Sequence, residues 1–182
     1  MADARRAGDS DLFFALINAA AVDDVAGSTD NSTGALRTAL AIAERNEHEP
    51  ASALAAAELS CLLARGREFD EAAALAEAAR HKSSPEAFRP AILWRRTLAH
   101  VAANEERMDH AMELTDEAVA DASGRGWLTF RGQTLEDAAD IRGRAGDAAG
   151  ARTALLAARA AYEEKGNVVG FERVRRRLLK AP

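Results

Sequence analysis

The chain has 182 residues and a net charge of −5, and 45 of its residues are alanine while valine, isoleucine and threonine together supply 19. Alanine loses least on entering a helix and β-branched residues supply most strands, so this composition excludes an all-β or parallel-sheet fold. The acidic balance gives no global field toward nucleic acid or anionic lipid, the lone Cys61 excludes a disulfide framework and a Cys-based zinc site, and no apolar stretch approaches the roughly 20 residues of a membrane span.

Helix start and stop signals predict nine helices in chain order. Ser10 is placed to cap a helix over 11–25, and Ala4-Arg5-Arg6-Ala7-Gly8-Asp9 before it reads as the tail of an earlier helix and its stop, or as a frayed terminus. After the turn-rich run from Gly27 to Gly34, Ser32 or Thr33 caps 34–47. Pro50 fits the first turn of the next helix, which Gly66 stops after residue 65. Asp70 caps 71–82. The run Ser84-Pro85-Glu86 starts a helix that ends near Ala103, with Pro90 set awkwardly about a turn inside it. Asp109 caps 110–122, ahead of Gly124 and Gly126. Helix 127–144 stops at Gly146, helix 148–165 stops at Gly166, and residues 168–180 form the last helix. No linker separates these elements, so a single domain over 1–182 is expected, without a signal peptide.

The helices repeat. Glu68-Phe69-Asp70-Glu71-Ala72, Arg107-Met108-Asp109-His110-Ala111 and Asp147-Ala148-Ala149-Gly150-Ala151 each follow one helix and open another, and their closing alanines stand 39 and 40 residues apart. A weaker copy closes at Ala35, 37 residues before Ala72. Twelve positions upstream of the three closing alanines lie Ser60, Ala99 and Ala139, small residues that let helices approach, beside Leu59, Leu98 and Ala138. Leu59 and Leu98 are expected to be largely buried at these seams.

This layout resembles tetratricopeptide (TPR) repeats, whose first helix carries Leu-Gly or Leu-Ala and whose second opens with aromatic-x-x-Ala. The second repeat matches best, with Leu59, Ser60, Leu63, Phe69, Ala72 and Ala79; the third keeps Leu98, Ala99, Ala111 and Ala118; the fourth keeps Ala139, Gly146, Ala151 and Ala158, with Arg142 and Ala148 where an apolar and an aromatic residue are usual. The spacing exceeds the family's 34 and resembles the arrays of bacterial LuxR-type regulators and multidomain adenylyl cyclases, whose final repeat Tyr162 to Gly170 also resembles. The resemblance implies an all-α, right-handed superhelical array of about four TPR-like helix pairs (10–48, 50–83, 85–123 and 126–165) with a capping helix over 168–180.

No constellation points to catalysis. His48, His81, His100 and His110 form no pair at zinc-binding spacing, Cys61 has no histidine close in sequence, and neither a Gly-x-Ser-x-Gly elbow nor a phosphate-binding Gly-rich Lys-Ser/Thr loop occurs. Gly124-Arg125-Gly126-Trp127 before a helix is read as a turn rather than a phosphate site. No catalytic residue, cofactor or metal is therefore expected. Arg173, Arg175, Arg176, Arg177 and Lys180 make the last helix basic, and its apolar stripe of Phe171, Val174 and Leu178 suits a cap whose outer face is solvated. Trp94 and Trp127 are either core or anchors for a ligand.

These readings lead to a cytoplasmic, non-enzymatic interaction scaffold, the partner-binding or sensor part of a bacterial signalling or transcription-regulatory system. The expected partner is a protein or peptide; membrane and nucleic acid are not expected, and a homo-oligomer is left open. Two alternatives are a sensor holding a small effector in the concave groove and a nucleic-acid accessory protein using the basic last helix. Counted from the repeat, the groove presents Arg96 and His100 from one helix and Gln133, Glu136 and Asp140 from another. Either Arg96 and His100 pair with Glu136 and Asp140, or the two strips together receive a ligand carrying both charges.

Overall fold

A computed structural model describes residues 2–26, 29–84 and 86–180, with the side chains of 2–7, 24–26 and 29 outside the described set. Among the described residues the chain is all-α and contains no strand. The elements are α1 (Ala2–Ala26), α2 (Thr29–Arg45), α3 (Glu49–Arg65), α4 (Phe69–Lys82), α5 (Phe88–Asn104), α6 (Met108–Ser123), α7 (Leu128–Arg144), α8 (Ala148–Lys165) and α9 (Val168–Lys180). Contacts gather into two units, residues 1–97 and 98–182, and the division falls within α5. In the first unit α1 packs on α2, α2 on α3, and α3 on α4; in the second α6 packs on α7, α7 on α8, and α8 on α9.

Several helix starts differ from expectation. Helix α1 runs unbroken through Gly8 and Ser10, so Ser10 is not a cap and Gly8 is not a stop. An interior glycine weakens a helix by about 1 kcal/mol without ending it. Against that cost α1 buries Phe13, Ile17 and Ala20, and Asp9 accepts hydrogen bonds from Arg45 Nη2 (2.9 Å) and Asn46 Nδ2 (3.1 Å). Helix α2 begins at Thr29, ahead of Ser32 and Thr33, and neither caps it. The Ser32 hydroxyl is fully buried and instead donates to the Ala20 carbonyl across the α1–α2 seam (3.1 Å). Gly27 and Ser28 of the expected turn lie outside the described residues, as does Pro85. Asp70 and Asp109 sit inside the first turns of α4 and α6 and complement the positive helix end there rather than capping it. Helix α5 starts at Phe88, so Pro90 falls in the first turn, where a missing N–H leaves no hydrogen bond unmade.

One turn joins helices repeatedly. Glu47, Arg67, Glu106, Gly146 and Gly166 all adopt left-handed backbone, with φ of 53°, 66°, 62°, 81° and 73°. At each, the next residue's N–H reaches back five positions: His48 to Ala43, Glu68 to Leu63, Arg107 to Ala102, Asp147 to Arg142 and Asn167 to Tyr162, all at 2.8–2.9 Å. This is the Schellman arrangement, which satisfies carbonyls that the helix end leaves open. The five left-handed residues stand 20, 39, 40 and 20 apart in sequence. After the turn, His48 and Asp147 cap α3 and α8 by accepting from the N–H groups of Ala51 (3.2 Å) and Gly150 (2.8 Å).

Small residues line the seams. Ser60, Ala99 and Ala139 are buried, as are Ala72 and Ala111 and, seven residues beyond each of these, Ala79 and Ala118. Leu59 is 1% exposed. Leu98 departs from expectation and is only half-buried, because the neighbouring Ala99 takes the seam position on α5. Between α3 and the first part of α5, the Ser60 and Thr97 hydroxyls share a hydrogen bond of 2.8 Å, and Thr97 also donates to the Leu93 carbonyl (3.2 Å). Polar atoms at a dry seam are thereby satisfied.

Two outcomes are expected from this packing. Leu59→Ala should cost about 2–5 kcal/mol in urea unfolding, and Leu98→Ala distinctly less, since it removes less buried surface. Glu106→Gly should relieve a left-handed penalty of about 1–2 kcal/mol, part of which is offset by unfolded-chain entropy, and so raise the melting temperature by about 2–4 °C; Gly146→Ala should lower it by a similar amount.

Candidate functional site

Among the described residues, a dense polar cluster lies in the second unit, where α7, α8 and α9 meet. Glu136 on α7 is 7% exposed, and a buried carboxylate is costly unless it is paired. It is paired densely. Tyr162 Oη of α8 donates to Oε1 at 2.7 Å; Arg173 of α9 donates to Oε1 from Nη2 (2.6 Å) and to Oε2 from Nε (3.0 Å); Arg177 Nη1 donates to Oε2 at 3.3 Å. The Arg173 fork is bidentate, the geometry a guanidinium prefers on a carboxylate. Hydrogen bonding to Glu136 raises the Arg173 pKa further above its ordinary value.

Tyr162 is fully buried, and two glycines make room for its ring. A Cβ on Gly132 of α7 would come within 2.5 Å of the ring, and one on Gly170 of α9 within 2.8 Å. The Arg173 guanidinium lies 5.9 Å from the ring centroid. Asn167 Oδ1 accepts from the Gly170 N–H (3.0 Å), capping α9 so that Arg173 and Arg177 present one face to α7. Arg177 also pairs with Asp140, one turn along from Glu136.

Asp140 is half exposed, yet loss of water around its carboxylate raises its pKa above the ordinary aspartate value; Arg177 opposes this, Asp137 adds to it, and His100 opposes it. His100 Nε2 lies 3.4 Å from Asp137 Oδ1 without the alignment of a hydrogen bond. Arg144 donates to the Ala103 carbonyl at 2.7 Å, tying the end of α7 to α5.

The second unit therefore brings His100, Glu136 and Asp140 into one polar cluster with Asp137, and places the half-buried Gln133 one turn before Glu136 on α7. Arg96 belongs to the first unit, where it is buried. Within the second unit, Glu136 takes its hydrogen bonds from α8 and α9. Arg177 is thus not interchangeable with the exposed Arg175 and Arg176. Sequence reading overlooked Tyr162 and Arg173 as members of this cluster. A signal for Arg173 was present: carboxylates at 136 and 140 match arginines at 173 and 177, four apart on each helix.

A second feature lies in the first unit, a cleft of about 330 Å³ between α1 and the α2–α3 turn. Phe13, Ile42 and Ala51 form its apolar part, Phe14 projects 57% exposed, and Asp9, Asn46, Glu47 and His48 line it with polar atoms. Trp94 is half-buried with Arg95 4.4 Å from its ring centroid, whereas Trp127 is 45% exposed and stands edge-on to Phe130. Among the described residues no three histidine, cysteine or acidic side chains converge as a metal site, and no helix is long and apolar enough to cross a membrane.

The chain matches no protein-family model and no curated protein.

Tyr162→Phe should cost about 0.5–1.5 kcal/mol by removing one hydrogen bond to Glu136. Gly132→Ala should cost about 1–3 kcal/mol by overpacking, and the loss should shrink in a Tyr162→Leu background, where the ring is gone. Carboxyl NMR titration should place Asp140 above 3.8 and Glu71 below 4.5. Glu71 owes its lowered value to the exposed two-point hydrogen bond from Arg37, so its contribution to stability is present at neutral pH and fades as pH falls through its folded-state pKa. Asp140 acts oppositely: protonation favours the folded state, and that contribution is lost as pH rises through its raised folded-state pKa.

Proposed function

We propose that this chain is a TPR-like helical-repeat interaction module without catalytic chemistry, serving as the partner-binding or sensor part of a bacterial signalling or transcription-regulatory system. The observation that carries the reading is the recurrent turn, five left-handed residues at spacings of 20, 39, 40 and 20, joining helices whose small residues are buried at a matching period. Repetition of one supersecondary unit is how solenoid proteins build extended surfaces, and such surfaces recognise partners by shape and polar complementarity. The excess of arginine over lysine, 21 to 3, together with 45 alanines, supports a GC-rich bacterial coding origin. A protein or peptide is the partner this reading favours, in the cytoplasm, with His100, Gln133 and Asp140 on the surface it uses, beside the buried Glu136.

The cleft of about 330 Å³ in the first unit supports a second reading, a sensor for a small ligand with an apolar body and a polar end. Nucleic-acid binding through α9 is less favoured, since Arg173 and Arg177 are engaged with Glu136 and Asp140 and only part of the helix's charge is left facing solvent.

The two readings separate by experiment. A partner identified by affinity capture and then purified should bind the full chain by calorimetry, with at least tenfold weakening on Gln133→Arg. A small-ligand sensor should instead show a melting temperature that rises with ligand concentration as RT ln(1 + [L]/Kd), with the rise abolished by Phe14→Asp. Failure to find a purified protein that binds, together with a positive ligand screen, would overturn the scaffold reading in favour of the sensor.

A further inference from the structure

We infer that the α7–α8 hairpin forms a cradle for an arginine-bearing helix, that α9 is its occupant in cis, and that the same cradle accepts a matching helix in trans. This rests on reading the chain as an interaction module and names the chemistry of one partner class. The cradle belongs to α7 and α8 alone. Glu136 supplies a buried carboxylate, Asp140 a second carboxylate one turn away, and Tyr162 a floor whose ring is seated against Gly132. Apart from α9, the hydrogen bond Glu136 receives among the described residues comes from the Tyr162 hydroxyl; a carboxylate so buried calls for a cation, and a guanidinium satisfies both of its oxygens at once.

What α9 brings to the cradle is a short pattern. Gly170 lets the helix approach the Tyr162 ring, where a Cβ would stand 2.8 Å away; three residues on, Arg173 forks onto Glu136; Val174 is fully buried; four residues beyond Arg173, Arg177 bridges Glu136 and Asp140. The recognised feature is therefore a helix reading small-x-x-Arg-Val-x-x-Arg. Phe171 and Leu178 are half-buried against the α7–α8 core, while the ends of α9 stand open. Val168 is 71% exposed, Val169 50% and Leu179 76%, whereas Gly170 and Val174 are buried. The side chains of Arg173 and Arg177 are 42% and 31% exposed, so a competing helix can reach the same carboxylates as α9 lifts. Tethered through Gly166 and Asn167, α9 has the advantage of a high effective concentration, and a helix in trans succeeds when that grip weakens or when it brings further contacts.

The test uses the full chain and a fluorescein-labelled peptide with the sequence of residues 167–180 as probe. In wild type, fluorescence anisotropy should show weak binding. Arg173→Gln with Arg177→Gln loosens α9 in cis and should strengthen peptide binding at least tenfold. Adding Glu136→Gln should abolish that gain, and a peptide carrying Gly170→Leu should fail to bind the double variant. Binding equal within twofold across wild type, double and triple variants, or undiminished by Gly170→Leu, overturns the proposal. If the double variant does not fold, wild type carries the test: saturating unlabelled peptide should accelerate amide exchange over 168–180 while α7 and α8 keep their protection, and unchanged exchange over 168–180 overturns it. A natural partner that binds elsewhere would leave the module reading intact while these peptide results stand or fall alone. Peptide binding without any natural protein partner would sink the module reading and leave the cradle.

Discussion

Alanine sets the distance between helices, and the other features follow from that distance. Ala39, Ala53, Ala57, Ala72, Ala76, Ala79, Ala102 and Ala158 are wholly buried. A methyl group cannot bridge a wide gap, so helices that meet through alanine must approach closely, and their stability comes from many small dispersion contacts. Among the larger apolar side chains, Leu59, Leu63, Ile92, Leu93, Ile141 and Val174 are fully buried between the helices. A close seam tolerates neither an extra methylene nor an unsatisfied hydroxyl. That is why Ser32, Ser60 and Thr97 each have a carbonyl or hydroxyl within reach.

The second unit departs from this economy in one place, and the departure organises its last helix. A tyrosine ring at a seam lined otherwise by alanine fits only because glycine faces it from two helices. The ring carries a hydroxyl into the interior, the hydroxyl meets Glu136, and the carboxylate then draws two arginines from α9. One large residue thus joins the apolar stripe of Phe171, Val174 and Leu178 in fixing the position of α9. Breaking this chain of dependence at Glu136 would leave the guanidinium groups in partial contact with water, whereas breaking it at the arginines would strand a buried charge. The second loss is the graver one.

The sequence was most legible where physics is local. Pro50 placed the start of α3, and Gly166 the end of α8 and the start of α9, closely, because a proline at a helix start or a left-handed glycine at C′ needs no distant partner to have its effect. Legibility failed where tertiary contacts override local signals. Ser32 has the chemistry of a cap, but its hydroxyl found the Ala20 carbonyl of a neighbouring helix. Gly8 looks like a stop, but the face of α1 that buries Phe13 and Ile17 carries the helix past it. Left-handed Glu47, Arg67 and Glu106 carry no compositional sign, since only the length of the turn forces their backbone. Glu136 and Asp140 were recognisable as a shared face of one helix; the arginines that bond them lie 37 residues downstream, a match in spacing that no local signal singles out.

The single thiol of the chain has a consequence for how the first unit opens. Cys61 is buried, with its sulfur 3.3 Å from the Leu93 carbonyl and 3.3 Å from the Thr97 hydroxyl, inside the contact between α3 and α5. Cys61 is only 7% exposed, so a reagent that modifies thiols reaches it far faster once those two helices part. With no other cysteine in the chain, the rate of its labelling is a clock for that parting. A site with no catalytic base beside it thereby becomes a built-in timer of breathing, read without adding any probe to the protein.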